Sequence, residues 1–310
     1  MLVDFDRELA AIALSHHSII TLEDVARVGG DKYDAHWRLG RGRWIHVYDR
    51  VYRLAGAPFT YESQVYAAIC AAGPAAVVSH FCAARLHGIG FTKALPELTV
   101  PRGRFHRPAG ITVHTSTDLA RCDTVMVAGC IPATDPNRTL LDMARRLRDT
   151  PLRNAINDAR RLQIVDTSSL VRTLAAHARR GRPGIKRFRE TLVATSAREA
   201  LTETDSEEVA VALLKEHGFP EPTVQHEVRA ADGRLVARMD IAYVQEKTNF
   251  EIDGPVHDDP EVGAKDEERD HELRARYGWT VRRIKHFIPL DQPRRFLAIV
   301  RDTLRHRPSL

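Results

Sequence analysis

Met239-Asp240-Ile241-Ala242-Tyr243 and Phe250-Glu251-Ile252-Asp253-Gly254 decide the reading of this chain. Met239, Ile241 and Tyr243 are apolar, as are Phe250 and Ile252, while Asp240, Glu251 and Asp253 fall on the opposite parity. A period of two marks half-buried strands. Gln245-Glu246-Lys247-Thr248 is polar and short enough to close them into a hairpin. Pairing Ile241 with Phe250 and Met239 with Ile252 sets Asp240 opposite Glu251, and a slip of two residues sets it opposite Asp253. A slip of one would place apolar residues against acids and is disfavoured. Either allowed register gathers three carboxylates on one face. Opposed side chains lie about 4.5–5.5 Å apart at Cβ, and like charges there repel. A hard divalent cation such as Mg²⁺ or Mn²⁺ would reverse that penalty. The alternative is a solvated hairpin face without metal. The apolar opposite face, the Gly254-Pro255 break and His257 favour a site.

Outward from the hairpin, a helix starting near Asp205 or Ser206 precedes it and ends at Gly218. Glu207, Val211 and Leu214 share one face of that helix, which aims Glu207 at the core side as a possible fourth carboxylate, and Glu208 at solvent. A charged helix over 261–277 follows, with Asp266, Arg269, Asp270 and Leu273 grouped within two turns. Gly278 ends it, and Thr280 to Phe287 alternates again before a terminal helix from about Pro293.

The other end reads helix, helix, helix, then a small hairpin. Thr21-Leu22-Glu23-Asp24 has the form of a capping box with Asp24 in the Glu position, and Asp31 caps a third helix. Trp44 to Leu54 alternates around an Asp49-Arg50 turn. Helix, turn, helix, wing is the pattern of a winged helix-turn-helix. Lys32, Tyr33, His36 and Arg38 would then lie on the recognition helix, with Arg41 and Arg43 at the wing, as DNA-contacting residues. A helical subdomain that docks on protein is the alternative.

Between these ends, helices are expected over 62–72 and 79–86, strands over 97–100 and 111–114, and a helix after Pro136. His80 and His87 lie seven residues apart and are assigned to packing beside Gly88. An Arg-rich helical stretch over 151–200 is broken by Gly181-Arg182-Pro183-Gly184. The expected architecture is α+β and multidomain, with a winged helix-turn-helix over 1–56, a central α/β region over 57–150, a helical connector over 151–200 and an α/β domain over 201–310.

Composition narrows the class. The 310 residues are 43% hydrophobic and 28% charged, which is ordinary for a globular chain of two or three domains. The net charge of +5 concentrates in the middle, where Arg145-Arg146, Arg160-Arg161 and Arg179-Arg180 form basic pairs that attract phosphate backbones. Cys70, Cys82, Cys122 and Cys130 form no C-x-x-C pair and read as small buried hydrophobes. The sequence carries no run of membrane-span length, and acids at Asp4, Asp6 and Glu8 interrupt any secretion signal. A cytoplasmic protein is expected, and oligomeric state stays open.

Two resemblances follow from these residues. Glu207, Asp240, Glu251-x-Asp253-Gly254, His257, Asp266-x-x-Arg269 and Gly278-Trp279-x-Val281-x-Arg283 occur in the order of the DUF559 group of very-short-patch-repair-like endonuclease domains, which the stretch from about 201 to 305 resembles. That group lies within the PD-(D/E)XK nuclease superfamily. The resemblance implies a mixed sheet flanked by helices, with Asp240 and Glu251 as Mg²⁺ or Mn²⁺ ligands. It also implies catalytic roles for Asp253, near the usual lysine position, for His257 and for Glu207. The superfamily lysine is absent at position 253. Residues 5 to 150 are similar to the AbiEi-type antitoxin family, through Val51-Tyr52-Arg53-Leu54, Val78-Ser79-His80, Ala83-Ala84-x-Leu86-His87-Gly88 and Thr134-x-Pro136-x-Arg138-Thr139-Leu140-Leu141-Asp142. This likeness implies DNA binding, operon autoregulation and a toxin protein as a possible partner. The two functional expectations are therefore a metal-dependent DNA endonuclease with a DNA reader, or a regulator or antitoxin that does not cleave.

Overall fold

Side-chain chemistry sets the first helix boundaries. Thr21 accepts from the Asp24 amide at 3.1 Å and the Asp24 carboxylate accepts from the Thr21 amide at 2.9 Å, which completes the expected capping box. In the computed structural model, which describes residues 2–91, 95–103, 107–120, 123–195, 203–253 and 260–305, this box starts α2. Asp31 and Asp34 form a second box that starts α3. The first elements are α1 (Leu2–Ser15), β1 (Ile19–Thr21), α2 (Leu22–Arg27), α3 (Lys32–Gly40), β2 (Trp44–Tyr48) and β3 (Val51–Leu54). The strands form a sheet ordered β1-β3-β2, and Leu9, Ala13, Ile20, Val25, Ala35, Trp44 and Tyr52 close the core beneath it.

The next elements are α4 (Tyr61–Ala72), β4 (Val77–Val78), α5 (His80–Leu86), β5 (Glu97–Pro101), β6 (Thr112–Ser116), β7 (Thr124–Val127), β8 (Ile131–Thr134) and α6 (Pro136–Met143). Their sheet runs β6-β5-β4-β8-β7, with β5 parallel to β6 and β4 parallel to β8. Strands β7 and β8 were not anticipated. The burial of β7 is weak on both faces, so it leaves no clean apolar alternation. Beneath α6, Arg138 is only 1% exposed and gathers Asp118, Asp123 and Asp142 at 3.2, 2.8 and 3.0 Å. The Arg138 and Asp142 of the antitoxin-like motif thus meet one turn apart, inside the fold.

The remaining elements are α7 (Asp149–Arg161), α8 (Thr167–His177), α9 (Ile185–Thr195), α10 (Glu203–Glu216), β9 (Thr223–Arg229), β10 (Leu235–Tyr243), β11 (Thr248–Asp253), α11 (Pro260–Tyr277), β12 (Thr280–Lys285), α12 (Phe287–Asp291) and α13 (Pro293–Arg305). The four strands run β12-β11-β10-β9, and only the β11–β12 pair is parallel. Gly184, at a φ of +87°, sits so close to the Arg145 backbone that a Cβ there would meet it at 2.7 Å. Only glycine fits that turn between α8 and α9.

The whole is α+β, with several sheets. Two compact units divide it, one comprising Met1–Met143 with Asn154–Ile164 and the other Ala144–Arg153 with Val165–Leu310. Among the described residues no helix is long and apolar enough to cross a membrane.

Candidate functional site

Ile241 pairs with Phe250 and Tyr243 with Thr248, the register expected from the alternation. The ladder stops there, and the expected Met239–Ile252 pair does not form. The Ile252 amide donates instead to Asp240 Oδ2 at 3.1 Å. A carboxylate has thus replaced a backbone carbonyl as the acceptor, which answers the strand's hydrogen-bond demand as the two backbones part.

The acidic face is not solvated. Every residue of β11 is buried, Glu251 and Asp253 included. Strand β12 lies parallel to β11 with Arg283 in register beside Glu251. Glu251 Oε1 accepts from Asn249 Nδ2 at 2.9 Å, and Oε2 accepts from Arg269 Nη2 of α11 at 2.9 Å. Arg283 reaches Asp253 Oδ1 at 3.2 Å and forks onto both oxygens of Asp270 at 3.0 and 3.2 Å. Burial pushes the Glu251 carboxyl above its ordinary range; Arg269 and Arg283 pull it back, and Asp240 adds to the rise. Burial works against the charge on Arg283, but the Asp270 hydrogen bonds and the neighbouring Asp253 and Glu251 hold its proton more tightly than usual.

Asp240 has a second environment. With Glu207, Glu208, Gln225, Arg238 and Lys215 it lines a cleft of about 690 Å³ beside α10. Glu207 accepts from Gln225 Nε2 at 2.9 Å. Glu208 does not face solvent as its helical position suggested. Its Oε2 is buried without a hydrogen-bond partner, and burial raises its carboxyl above the ordinary range against the pull of Arg172. The outward face of α10 is covered by α8, an element that helical periodicity cannot foresee. Glu207 and Asp240 therefore share one cleft, while Glu251 and Asp253 share the arginine network. His257 lies outside the described residues, as does the side chain of Asp266.

The basic set at the other end divides. Lys32, Tyr33, His36, Arg41 and Arg43 are exposed. Arg38 is not. It is 1% exposed, its Nε donates to Asp6 Oδ1 at 2.8 Å, its Nη1 donates to the Asp34 carbonyl at 3.1 Å, and its guanidinium lies 4.5 Å from the Phe5 ring centre. Arg38 is thus removed from the DNA-contacting set: α1 supplies an acid and an aromatic ring that draw it inward. The exposed face carries instead an aromatic that the sequence reading passed over. Trp37 is 46% exposed, with Arg41 and Arg43 guanidinium carbons 5.5 and 5.3 Å from its ring centre.

One group of three metal-competent side chains occurs among the described residues, and it is not the acidic one. His80, Glu97 and His114 present ligand atoms all within 4.8 Å of one another. Parallel pairing brings this about: His114 of β6 lies beside Thr99 of β5, and Glu97 shares the Thr99 face two residues earlier. The Ser79 amide donates to the Glu97 carbonyl at 2.9 Å and so ties the start of α5 to the same place. His80 takes a φ of +53°, a left-handed conformation that costs about 1–3 kcal/mol in a residue with a Cβ. His87, by contrast, sits by Thr134, its Nε2 2.7 Å from that carbonyl, and fits the packing role expected of both.

The cysteines bear out their reading in part. Cys82 is buried, and burial pushes the half-buried Cys70 thiol up to about 12, so it is inert as a nucleophile. Cys122 lies outside the described residues. Compared with known proteins, the chain matches no family model and no curated protein.

Proposed function

We propose that this chain is a DNA-binding protein whose C-terminal part is a metal-dependent DNA endonuclease of the PD-(D/E)XK kind, preceded by a winged helix-turn-helix reader. The observation that carries the reading is the order α10-β9-β10-β11-α11-β12 around a mixed sheet, with Asp240 and Glu251 on neighbouring strands where their ladder ends. The order α1-β1-α2-α3-β2-β3 with its three-stranded sheet supports the reader, and the exposed Lys32, Tyr33, His36, Trp37, Arg41 and Arg43 supply its DNA-facing chemistry.

Asp240 and Glu251 are both oxygen donors, the ligand type a hard cation takes: Asp240 lines an open cleft, and Glu251 is held by Asn249 and Arg269. Asp240 and Glu251 would hold Mg²⁺ or Mn²⁺. When bound, the ion polarises a phosphate oxygen and makes a coordinated water a better nucleophile. The rest falls to the chain itself. Arg269 and Arg283 oppose the effect of burial on the Glu251 carboxyl and offer positive charge to a phosphate. Glu207, oriented by Gln225, adds negative charge across the cleft from Asp240. The family likeness gives His257 an assisting role, as acid, base or stabiliser of the leaving group.

The test is nicking of supercoiled plasmid with Mg²⁺ or Mn²⁺ by the wild type, Asp240→Ala and Glu251→Ala. Metal-dependent nicking lost in both variants supports the assignment, and nicking unchanged in both sinks it. A second reading draws on the same network. Because Glu251 and Asp253 already satisfy Arg269 and Arg283, the domain suits a regulator that binds DNA without cutting it, in keeping with the antitoxin-like front half and a toxin partner. That reading expects salt-sensitive retention of a promoter fragment and no nicking with either metal.

A further inference from the structure

We propose that His80, Glu97 and His114 bind one zinc ion in the central five-stranded sheet, at a site separate from the Asp240–Glu251 pair and independent of the nuclease reading. Two imidazoles and one carboxylate, with their ligand atoms within 4.8 Å, form the donor set of a zinc centre that keeps its fourth position for water or a substrate. Zinc bonds of about 2.0–2.2 Å bring tetrahedral ligand atoms to within roughly 3.3–3.6 Å of each other. The side chains therefore need only rotamer-scale adjustments. Nitrogen donors select a transition ion over Mg²⁺ or Ca²⁺, which separates this group from the acidic one.

The surroundings hold each ligand in place. His80 Nδ1 lies 2.9 Å from Ser79 Oγ, and Thr99 Oγ1 donates to the same Ser79 oxygen at 2.7 Å. With Nδ1 engaged by Ser79, Nε2 is left as the metal-binding nitrogen. The Phe81 amide donates to Glu97 Oε2 at 3.4 Å, while Glu97 Oε1 faces His114 Nε2 at 2.7 Å. The His80 and His114 rings stack with centres 4.0 Å apart. The zinc takes the place of the proton shared by His114 Nε2 and Glu97, and that proton is released to buffer. His80 and Glu97 are buried, whereas the His114 side chain is 27% exposed, so the fourth position opens on the His114 side.

The experiment uses the full chain, stripped with a chelator and titrated with Co²⁺ and then Zn²⁺. Uptake of one equivalent of Co²⁺, with visible ligand-field absorption and proton release to the buffer, is expected, and Zn²⁺ then displaces the Co²⁺ with no further proton release. His114→Gln and Glu97→Gln should each lose that equivalent, and the joint Asp240→Ala, Glu251→Ala variant should retain it. Ser79→Ala should weaken zinc binding about 10–100-fold. Circular dichroism checks that each variant folds, and the partly exposed His114→Gln carries the test if the buried Glu97→Gln does not fold. No uptake by the wild type, retention in folded His114→Gln, or a thiolate charge-transfer band that assigns the ion to cysteine overturns the proposal.

Discussion

Acids in the two halves of this molecule keep different company. In the C-terminal sheet, Glu251, Asp253 and Asp270 meet Arg269 and Arg283, cations at every accessible pH. In the central sheet, Glu97 meets His114, a cation only when protonated and a metal ligand only when not. The first arrangement neutralises its own charge and holds oxygen atoms in fixed positions. The second has donor atoms that a metal can claim at the cost of a proton. The groups beside a carboxylate therefore decide how it could meet a metal: as a fixed oxygen donor in the one sheet, by proton exchange in the other.

The sharpest way to break this contrast is catalytic. Asp240→Ala or Glu251→Ala should lower plasmid nicking by about a thousandfold, since metal polarisation supplies several kcal/mol and each 1.4 kcal/mol is tenfold. His114→Gln should leave nicking within a few-fold of wild type. Equal losses in both sites, measured as initial nicking rates, would merge what the contrast separates.

A stability measurement comes next. Arg138 is a guanidinium hub with no chemistry assigned to it, so it calibrates what such a network contributes to folding alone. Arg138→Ala strands Asp118, Asp123 and Asp142 inside the fold and should cost about 3–5 kcal/mol in urea unfolding. His114→Gln, which replaces a partly exposed side chain and keeps a hydrogen-bond donor for the buried Glu97, should cost about 1 kcal/mol. Reversed magnitudes would make the histidine group the structural one.

Salt dependence sharpens the third comparison, between basic residues on α3 and just after it. Lys32→Ala and Arg41→Ala should each reduce the slope of log affinity against log salt by about 1 for duplex DNA. Arg38→Ala should lower thermal stability through its broken Asp6 contact, with a slope change only as large as unfolding produces. An Arg38 variant that folds normally and loses one unit of slope would return Arg38 to the DNA-facing set.

The smallest effect concerns the cleft. Burial raises the Glu208 carboxyl in the folded state, so its contribution favours folding below the ordinary carboxylate range and is lost as pH rises through the raised value. Glu208→Gln should therefore stabilise the chain at neutral pH and not in acid. Solvent screening of a half-exposed group keeps the gain near about 1 °C in Tm. A gain that grows as pH falls contradicts the sign.

Local and alternating features were legible in the sequence. Thr21 with Asp24 and Asp31 with Asp34 encode their own helix starts within four residues, and a period of two narrows the hairpin to two registers, of which Ile241–Phe250 forms. What escaped notice depends on distant partners. Arg38 turns inward because Asp6 and Phe5 wait on another helix. His80, Glu97 and His114 meet because β5 and β6 pair in parallel, and parallel pairing leaves no turn signature between its strands. Glu208 is covered by α8 from another part of the chain.

The amide of Ile252 leans on Asp240, and this has a consequence for how the domain tolerates change. A carboxylate that also accepts a strand amide serves the sheet whether or not it serves a metal. Asparagine keeps an oxygen for that amide while giving up the negative charge; alanine keeps neither. On the proposed nuclease reading, Asp240→Asn should keep the fold and remove nicking, where Asp240→Ala weakens both.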